Sequence, residues 1–147
     1  VLKNVIALAV GMGDGQGAGD NTRSALITRG LAEITRLGVA MGGRPETFAG
    51  LAGMGDLIAT CTSAQSRNRH VGYELGKGRT LQEIIDDMVM VAEGVKSAPT
   101  VMALGEEYGI EMPITGDVYS VLQGEATPRQ VFRGLLQSSA GAESEPG

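Results

Sequence analysis

GMGDGQGAGDN, residues 11–21, is the stretch on which the fold turns. Within it GDGQGA (13–18) formally fits G-x-G-x-x-G/A, the dinucleotide fingerprint. That fingerprint needs a strand before it, a helix directly after, and an acidic residue about 20 positions on, inside a βαβ unit. Only twelve residues precede Gly13, and no second parallel strand follows. The next helix opens on Asp20-Asn21, an acidic approach that would repel a pyrophosphate. The segment therefore reads as a tight connection between two close-packed helices, where glycine supplies positive φ and lets backbones approach.

The segments on either side agree with helices. LKNVIALAVGM (2–12) is apolar apart from Lys3 and Asn4, and periodicity alone does not separate a buried strand from a buried helix. Its Leu, Ala and Met content favours helix, with a glycine-rich loop running on to Gly19. NTRSALITRGLAEITRLGVAMGG (21–43) is the longest helical candidate, with Asp20 or Asn21 as N-cap and Gly42-Gly43 as its stop. Its apolar set includes Leu26, Ile27, Leu31, Ile34 and Leu37; Arg23, Arg29, Glu33 and Arg36 fall largely on another face. Pro45 suits the first turn of a short helix. GLAGMGDLIATCT (50–62) is a turn leading into an apolar helix. SRNRHVGYELGKG (66–78) is a further helix with Ser66 as its cap, and Thr80 with Glu83 forms a capping box. Helices are also predicted near 93–108, 114–122 and 128–136, with Pro113 and Pro128 near the starts. No run of alternating strands is present, so the chain reads as all-α, and SSAGAESEPG (138–147) as a disordered tail.

The composition allows one domain with a real core: 147 residues, 42% hydrophobic, only 3% aromatic and no Trp. Leu, Ile, Val, Met and Ala must fill that core. A net charge of −5 disfavours nucleic acid as a partner. No apolar run reaches spanning length and no signal-peptide pattern is present. The absence of an initiator Met at Val1 suggests a piece of a longer protein. One cysteine, Cys61, and one histidine, His70, leave neither an internal disulfide nor a Cys/His metal site, and point to a cytoplasmic setting.

Several residues stand out chemically. GMGD occurs twice, at 11–14 and 53–56; the GxGD aspartate of intramembrane proteases needs spanning helices that are lacking here. Asp56 sits where glycines give way to Leu57, Ile58 and Ala59, as a helix cap or as a partly buried, partnered carboxylate. SRNRH (66–70) gathers two guanidiniums, an amide and a hydroxyl at a helix start, either a solvated surface or an anion site. His70 reads as a packing or surface residue. Lys3, in an apolar setting, either snorkels to water or is a desolvated ammonium able to polarise a carbonyl and deliver a proton. In MVAEGV (90–95), Glu93-Gly94 either reaches a ribose hydroxyl or merely begins a helix.

LKN, GDNTRSALITRGLAE, GLAGMGDLIATCTS, SRNRH, MVAEGV and EMPIT, in that order, resemble the C-terminal domain of bacterial NAD(P)-dependent glycerol-3-phosphate dehydrogenase. The resemblance covers nearly all of residues 1–136. It implies an all-α fold similar to the 6-phosphogluconate dehydrogenase C-terminal-like fold. It implies a helical substrate domain over 1–137, with the Rossmann domain that binds NAD or NADP lying upstream, outside this chain. The implied reaction interconverts sn-glycerol 3-phosphate and dihydroxyacetone phosphate and feeds phospholipid synthesis. Carried over by motif, Lys3 is the catalytic base or proton donor, and Asp56 pairs with it and binds substrate hydroxyls. Asn4, Thr60, Ser66, Arg67 and Asn68 contact substrate. Arg67, Val91 and Glu93 approach the cofactor, and no metal is implied.

On this reading the chain alone does not turn over substrate, and the face that would meet the Rossmann domain is a candidate for self-association. Three other readings stay open at this level. One is the substrate domain of another nicotinamide-dependent hydroxyacid dehydrogenase, which would grip a carboxylate. The others are a non-catalytic helical dimerisation module and a stand-alone anion-binding domain.

Overall fold

The computed structural model describes residues 2–17, 19–43, 57–59, 67–88 and 92–131. Among these residues the regular structure is all helical, in agreement with the all-α expectation. The elements are α1 (Leu2–Gly15), α2 (Asp20–Ala40), α3 (Arg67–Gly76), α4 (Leu81–Asp86), α5 (Glu93–Tyr108) and α6 (Pro113–Leu122). A further helical turn spans 128–131. It opens on a reciprocal cap in which the Gln130 backbone N–H donates to Thr127 Oγ1 (3.2 Å) and the Thr127 N–H donates to Gln130 Oε1 (3.0 Å).

Helix α1 is the central element. Every residue from Val5 to Gly13 is buried, so this is a helix apolar all round rather than an amphipathic one. That settles the strand-or-helix ambiguity of LKNVIALAVGM. It also corrects the reading of the glycine-rich stretch, because Gly11, Gly13 and Gly15 lie inside α1 and only residues 16–19 connect it to α2.

The reason is packing against α3. A methyl group on Gly11 would collide with the Arg69 carbonyl oxygen, and one on Gly15 with that of Tyr73. Reciprocally, a methyl on Gly72 would collide with the Leu8 carbonyl, and one on Gly76 with that of Met12. Each pair is spaced by four residues and so lies on one helix face. Residue numbers rise together along the two helices, so α1 and α3 run parallel, backbone on backbone. Glycine costs roughly 1 kcal/mol of helix propensity per position; the close approach offsets that cost here.

The far end of this pair is tied by Asp14. Its side chain is only 8% exposed and accepts from Arg23 Nη2 (2.9 Å) and Nε (3.2 Å) through Oδ1, and from Arg69 Nη2 (3.0 Å) through Oδ2. Gln16 Nε2 adds a bond to the Gly76 carbonyl (2.6 Å). The first GMGD aspartate thus joins α1, α2 and α3.

Helix α2 is capped by Gly19 in extended conformation, with Asp20 already helical, which corrects the expectation of an Asp20 or Asn21 cap. Gly42, at φ +100°, and the Gly43 N–H bond to the Gly38 carbonyl (2.8 Å) end it as expected. The Thr80–Glu83 capping box is present, and the hydrogen bonds from Thr80 hold the Glu83 carboxyl below its ordinary pKa. Pro45, Cys61 and the tail 138–147 lie outside the described residues, as do most of GLAGMGDLIATCT and positions 132–136 of the last predicted helix.

Glu33 corrects a further expectation. It is 1% exposed and serves as the cap of a different helix. Oε1 accepts the Ile114 N–H (2.5 Å); Oε2 accepts the Thr115 N–H (3.3 Å) and hydroxyl (3.2 Å). Pro113 at the first position of α6 has no N–H to satisfy, and Met112 at the N-cap has no side-chain acceptor, so the carboxylate comes from α2. Burial raises the Glu33 pKa, against the opposing pull of those hydrogen bonds and of Arg36. Glu33→Ala is expected to destabilise the chain by about 2 kcal/mol, because two buried N–H groups lose their acceptor. A carboxyl whose folded pKa is raised contributes most below its unfolded pKa and loses that contribution as pH climbs through the folded value. The gap between parent and Glu33→Ala in urea unfolding is therefore expected to be wider at pH 4 than at pH 7.

Candidate functional site

The parallel pairing of α1 with α3 has a functional consequence: it brings their first turns to the same end of the bundle. Lys3 and Asn4 lie in the first turn of α1, and Arg67 and Asn68 in the first turn of α3. Helix α5 starts there as well. Its N-cap is Ala92, whose methyl cannot accept a hydrogen bond. Asn68, 8% exposed, supplies the missing acceptor: its Oδ1 takes the Gly94 N–H at 2.7 Å.

Gly94 marks how close this approach is. A Cβ there would stand 2.6 Å from Asn68 Oδ1, 2.8 Å from the Asn4 carbonyl oxygen and 2.9 Å from Leu8 Cδ1. The LKN, SRN and AEG segments, far apart in sequence, thus meet around one glycine. Arg67 and Glu93, each one residue before a member of this contact, are exposed, and Lys3 is half-buried.

Cationic groups gather at this end of the bundle. The start of a helix carries roughly half a positive charge, and the guanidinium of Arg67 and ammonium of Lys3 add full ones. Glu93, the first residue of α5, is the acidic exception, and a carboxylate there is itself a good acceptor for hydroxyl groups.

Of the residues singled out in the sequence, Lys3, Asn4, Arg67, Asn68 and Glu93 are gathered at this end. Asp56, Thr60, Ser66 and Val91 lie outside the described residues. Arg69, the second arginine of SRNRH, goes to Asp14 and to the face of Tyr73, 5.8 Å from the ring centroid. His70 is exposed, in keeping with a surface residue. An apolar cleft between α1, α2 and α6, lined by Met12, Leu26, Ile114 and Val118, contains none of these residues. The Asp117 carboxyl lines it too, with its pKa raised by burial.

Sequence reading missed the role of Gly94. The signal was a glycine at the second position of a helix with no side-chain cap of its own, but its partner Asn68 lies 26 residues away.

Residues 1–133 match the family described as NAD-dependent glycerol-3-phosphate dehydrogenase C-terminus. A glycerol-3-phosphate dehydrogenase (NAD(P)+) of Sphingopyxis alaskensis is 75% identical over the whole chain, which covers 44% of that relative. One from Geobacter sulfurreducens is 57% identical over 142 residues, 97% of this chain and 42% of the relative. Among solved structures, the glycerol-3-phosphate dehydrogenase of Coxiella burnetii superposes with a TM-score of 0.87 at 44% identity, over 92% of this chain and 42% of that one. The chain thus spans under half the length of the relatives it matches.

Proposed function

This chain belongs to the NAD-dependent glycerol-3-phosphate dehydrogenase C-terminal family, and from that premise we propose that it is the substrate-binding and catalytic part of an enzyme interconverting dihydroxyacetone phosphate and sn-glycerol 3-phosphate. The partner is a dinucleotide-binding domain of the same enzyme; a cytoplasmic setting, supply of phospholipid precursor and a homodimer belong to the same reading. The observation that carries it is the meeting of the LKN, SRN and AEG segments around the Asn68–Gly94 hydrogen bond.

The residues present suit a nicotinamide dinucleotide at this end. Arg67 is a bidentate donor for its phosphates, and Glu93, exposed at the start of α5, is an acceptor for ribose hydroxyls. Val91 is the third cofactor contact in this reading. When bound, the cofactor supplies or accepts the hydride at C2.

The chain's own residues do the rest. In reduction, negative charge develops on the C2 oxygen, and Lys3 meets it with an ammonium that stabilises the charge and gives up a proton. In oxidation the neutral amine of Lys3 takes the hydroxyl proton. Asp56 holds Lys3 and binds substrate hydroxyls, and Asn4 orders that corner of the site. Ser66, Arg67 and Asn68 grip the phosphate, with Thr60 beside them. Binding the remote phosphate fixes the position of the carbon that reacts.

The test uses a chimera: the Sphingopyxis relative with its matching segment replaced by this chain. It is expected to oxidise NADH or NADPH on addition of dihydroxyacetone phosphate. Arg67→Ala is expected to raise KM for that substrate by about 10–100-fold, the loss of a charge-assisted hydrogen-bond pair. Turnover of 3-hydroxyacids in place of the phosphate ester would move the protein to a carboxylate-gripping dehydrogenase. No turnover with either cofactor would leave a binding or dimerisation module.

A further inference from the structure

Asn68 has two chemically different ends, and its surroundings choose between them. An N–H can only be met by an acceptor, so the Gly94 N–H at 2.7 Å fixes the carboxamide with Oδ1 toward α5. The amide nitrogen, a pure donor, is what remains for the rest of the site. This orientation depends on Gly94 having no side chain, since a Cβ would stand 2.6 Å from that same Oδ1 and 2.8 Å from the Asn4 carbonyl oxygen. Any larger residue must push α5 away from Asn68, from Asn4 or from both.

We infer that Gly94 is a positioning residue: its bare Cα lets α5 seat against α1 and α3, and its N–H locks Asn68 with the donor end offered to the phosphate of the substrate. The inference rests on the proposed function, in which Asn68 grips that phosphate. Gly94 itself touches no substrate. It acts through Asn68, and it makes the site selective for a ligand that accepts hydrogen bonds at that point. A ligand with a donor there would face the amide N–H groups unsatisfied.

Asn68→Asp separates support from recognition. The aspartate is nearly isosteric and keeps an acceptor for the Gly94 N–H, in a place where the start of α5 favours negative charge. It replaces the donor by an anion facing the phosphate. In the chimera, Asn68→Asp is expected to melt within about 2 °C of the parent or above it, while KM for dihydroxyacetone phosphate rises about a hundredfold. KM for unphosphorylated dihydroxyacetone is expected to stay within about threefold, because only the phosphate senses the exchanged group. Gly94→Ala, by turning the amide, is expected to raise KM for the phosphorylated substrate about tenfold, again more than for dihydroxyacetone.

An Asn68→Asp enzyme with unchanged KM for the phosphate ester would overturn the inference, as would one that melts as low as Asn68→Ala. Equal losses for both substrates in Gly94→Ala would reduce Gly94 to a packing residue and overturn it too. A parent chimera that neither turns over nor binds sn-glycerol 3-phosphate in calorimetry would sink the functional reading and this inference together. A working parent with an indistinguishable Asn68→Asp variant would sink this inference alone.

Discussion

Gly72→Ala is expected to lower the melting temperature of the chain by about 10 °C. Alanine is the better helix former by roughly 1 kcal/mol, so propensity alone predicts the opposite sign. The deciding fact is that the new methyl would collide with the Leu8 carbonyl oxygen and crowd Met12 N at 3.0 Å. Both are backbone atoms of a buried helix, and no rotamer change relieves the clash. The helices must separate, and with them the Gly11, Gly15 and Gly76 contacts loosen. Overpacking of this kind costs about 3 kcal/mol, which for a chain of this length is about 10 °C at roughly 3 °C per kcal/mol. Gly116→Ala is the control. It lies in α6, where an added methyl would have nothing within 4 Å, and is expected to stabilise slightly by propensity. Circular dichroism melts of the two variants read the contrast directly.

Lys3→Ala is expected to abolish turnover in the chimera, with kcat falling roughly a thousandfold or more. General acid–base catalysis contributes about 10²–10⁴-fold, and the same ammonium also meets the charge that develops on the substrate oxygen. KM for the cofactor is expected to change little, since in the proposed site Lys3 acts on the substrate. Added alkylammonium ions should restore part of the rate, because the lost group is a small cation that can diffuse into the space it left. Lys3→Arg keeps the charge without a proton that can be given up near neutral pH, and is expected to bind substrate but turn over poorly. Full activity of Lys3→Ala would remove the residue from the chemistry and favour a binding module.

The sequence carries the fold class well and the packing poorly. Helix starts at Thr80, Pro113 and Pro128 are legible because their signals are local: a reciprocal cap, or a proline whose missing N–H is no loss. Gly11–Gly15 reads as loop for a physical reason. Glycine is a poor helix former in isolation, and what keeps these residues helical is a second glycine pair, Gly72 and Gly76, about 60 positions away. The matched spacing of four in both segments is the available clue. Glu33 is misplaced by the sequence because a carboxylate at a polar helix position gives no sign that it caps another helix 81 residues on.

For the candidate site, motif resemblance names Lys3, Asn4, Arg67, Asn68 and Glu93, and the parallel α1–α3 pair explains why they meet. Composition does not reveal that pairing, and the matched glycine spacing only hints at it, because it depends on backbone contacts between distant glycines. The resemblance assigns Asn68 to the substrate, whereas the fold gives it a structural bond as well. It is a single carboxamide with its oxygen committed to α5, and its nitrogen is the end that the proposed site offers to a ligand.

The most direct test of the proposed site is a crystal structure of the chimera with sn-glycerol 3-phosphate and oxidised cofactor. The expected result is a phosphate within hydrogen-bond reach of the Asn68 amide nitrogen and Arg67, Asn68 Oδ1 still on the Gly94 N–H, and the C2 hydroxyl against Lys3. A phosphate bound at the other end of the α1–α3 pair, beside Arg23 and Arg69, or an Asn68 turned with its oxygen toward the ligand, would contradict it.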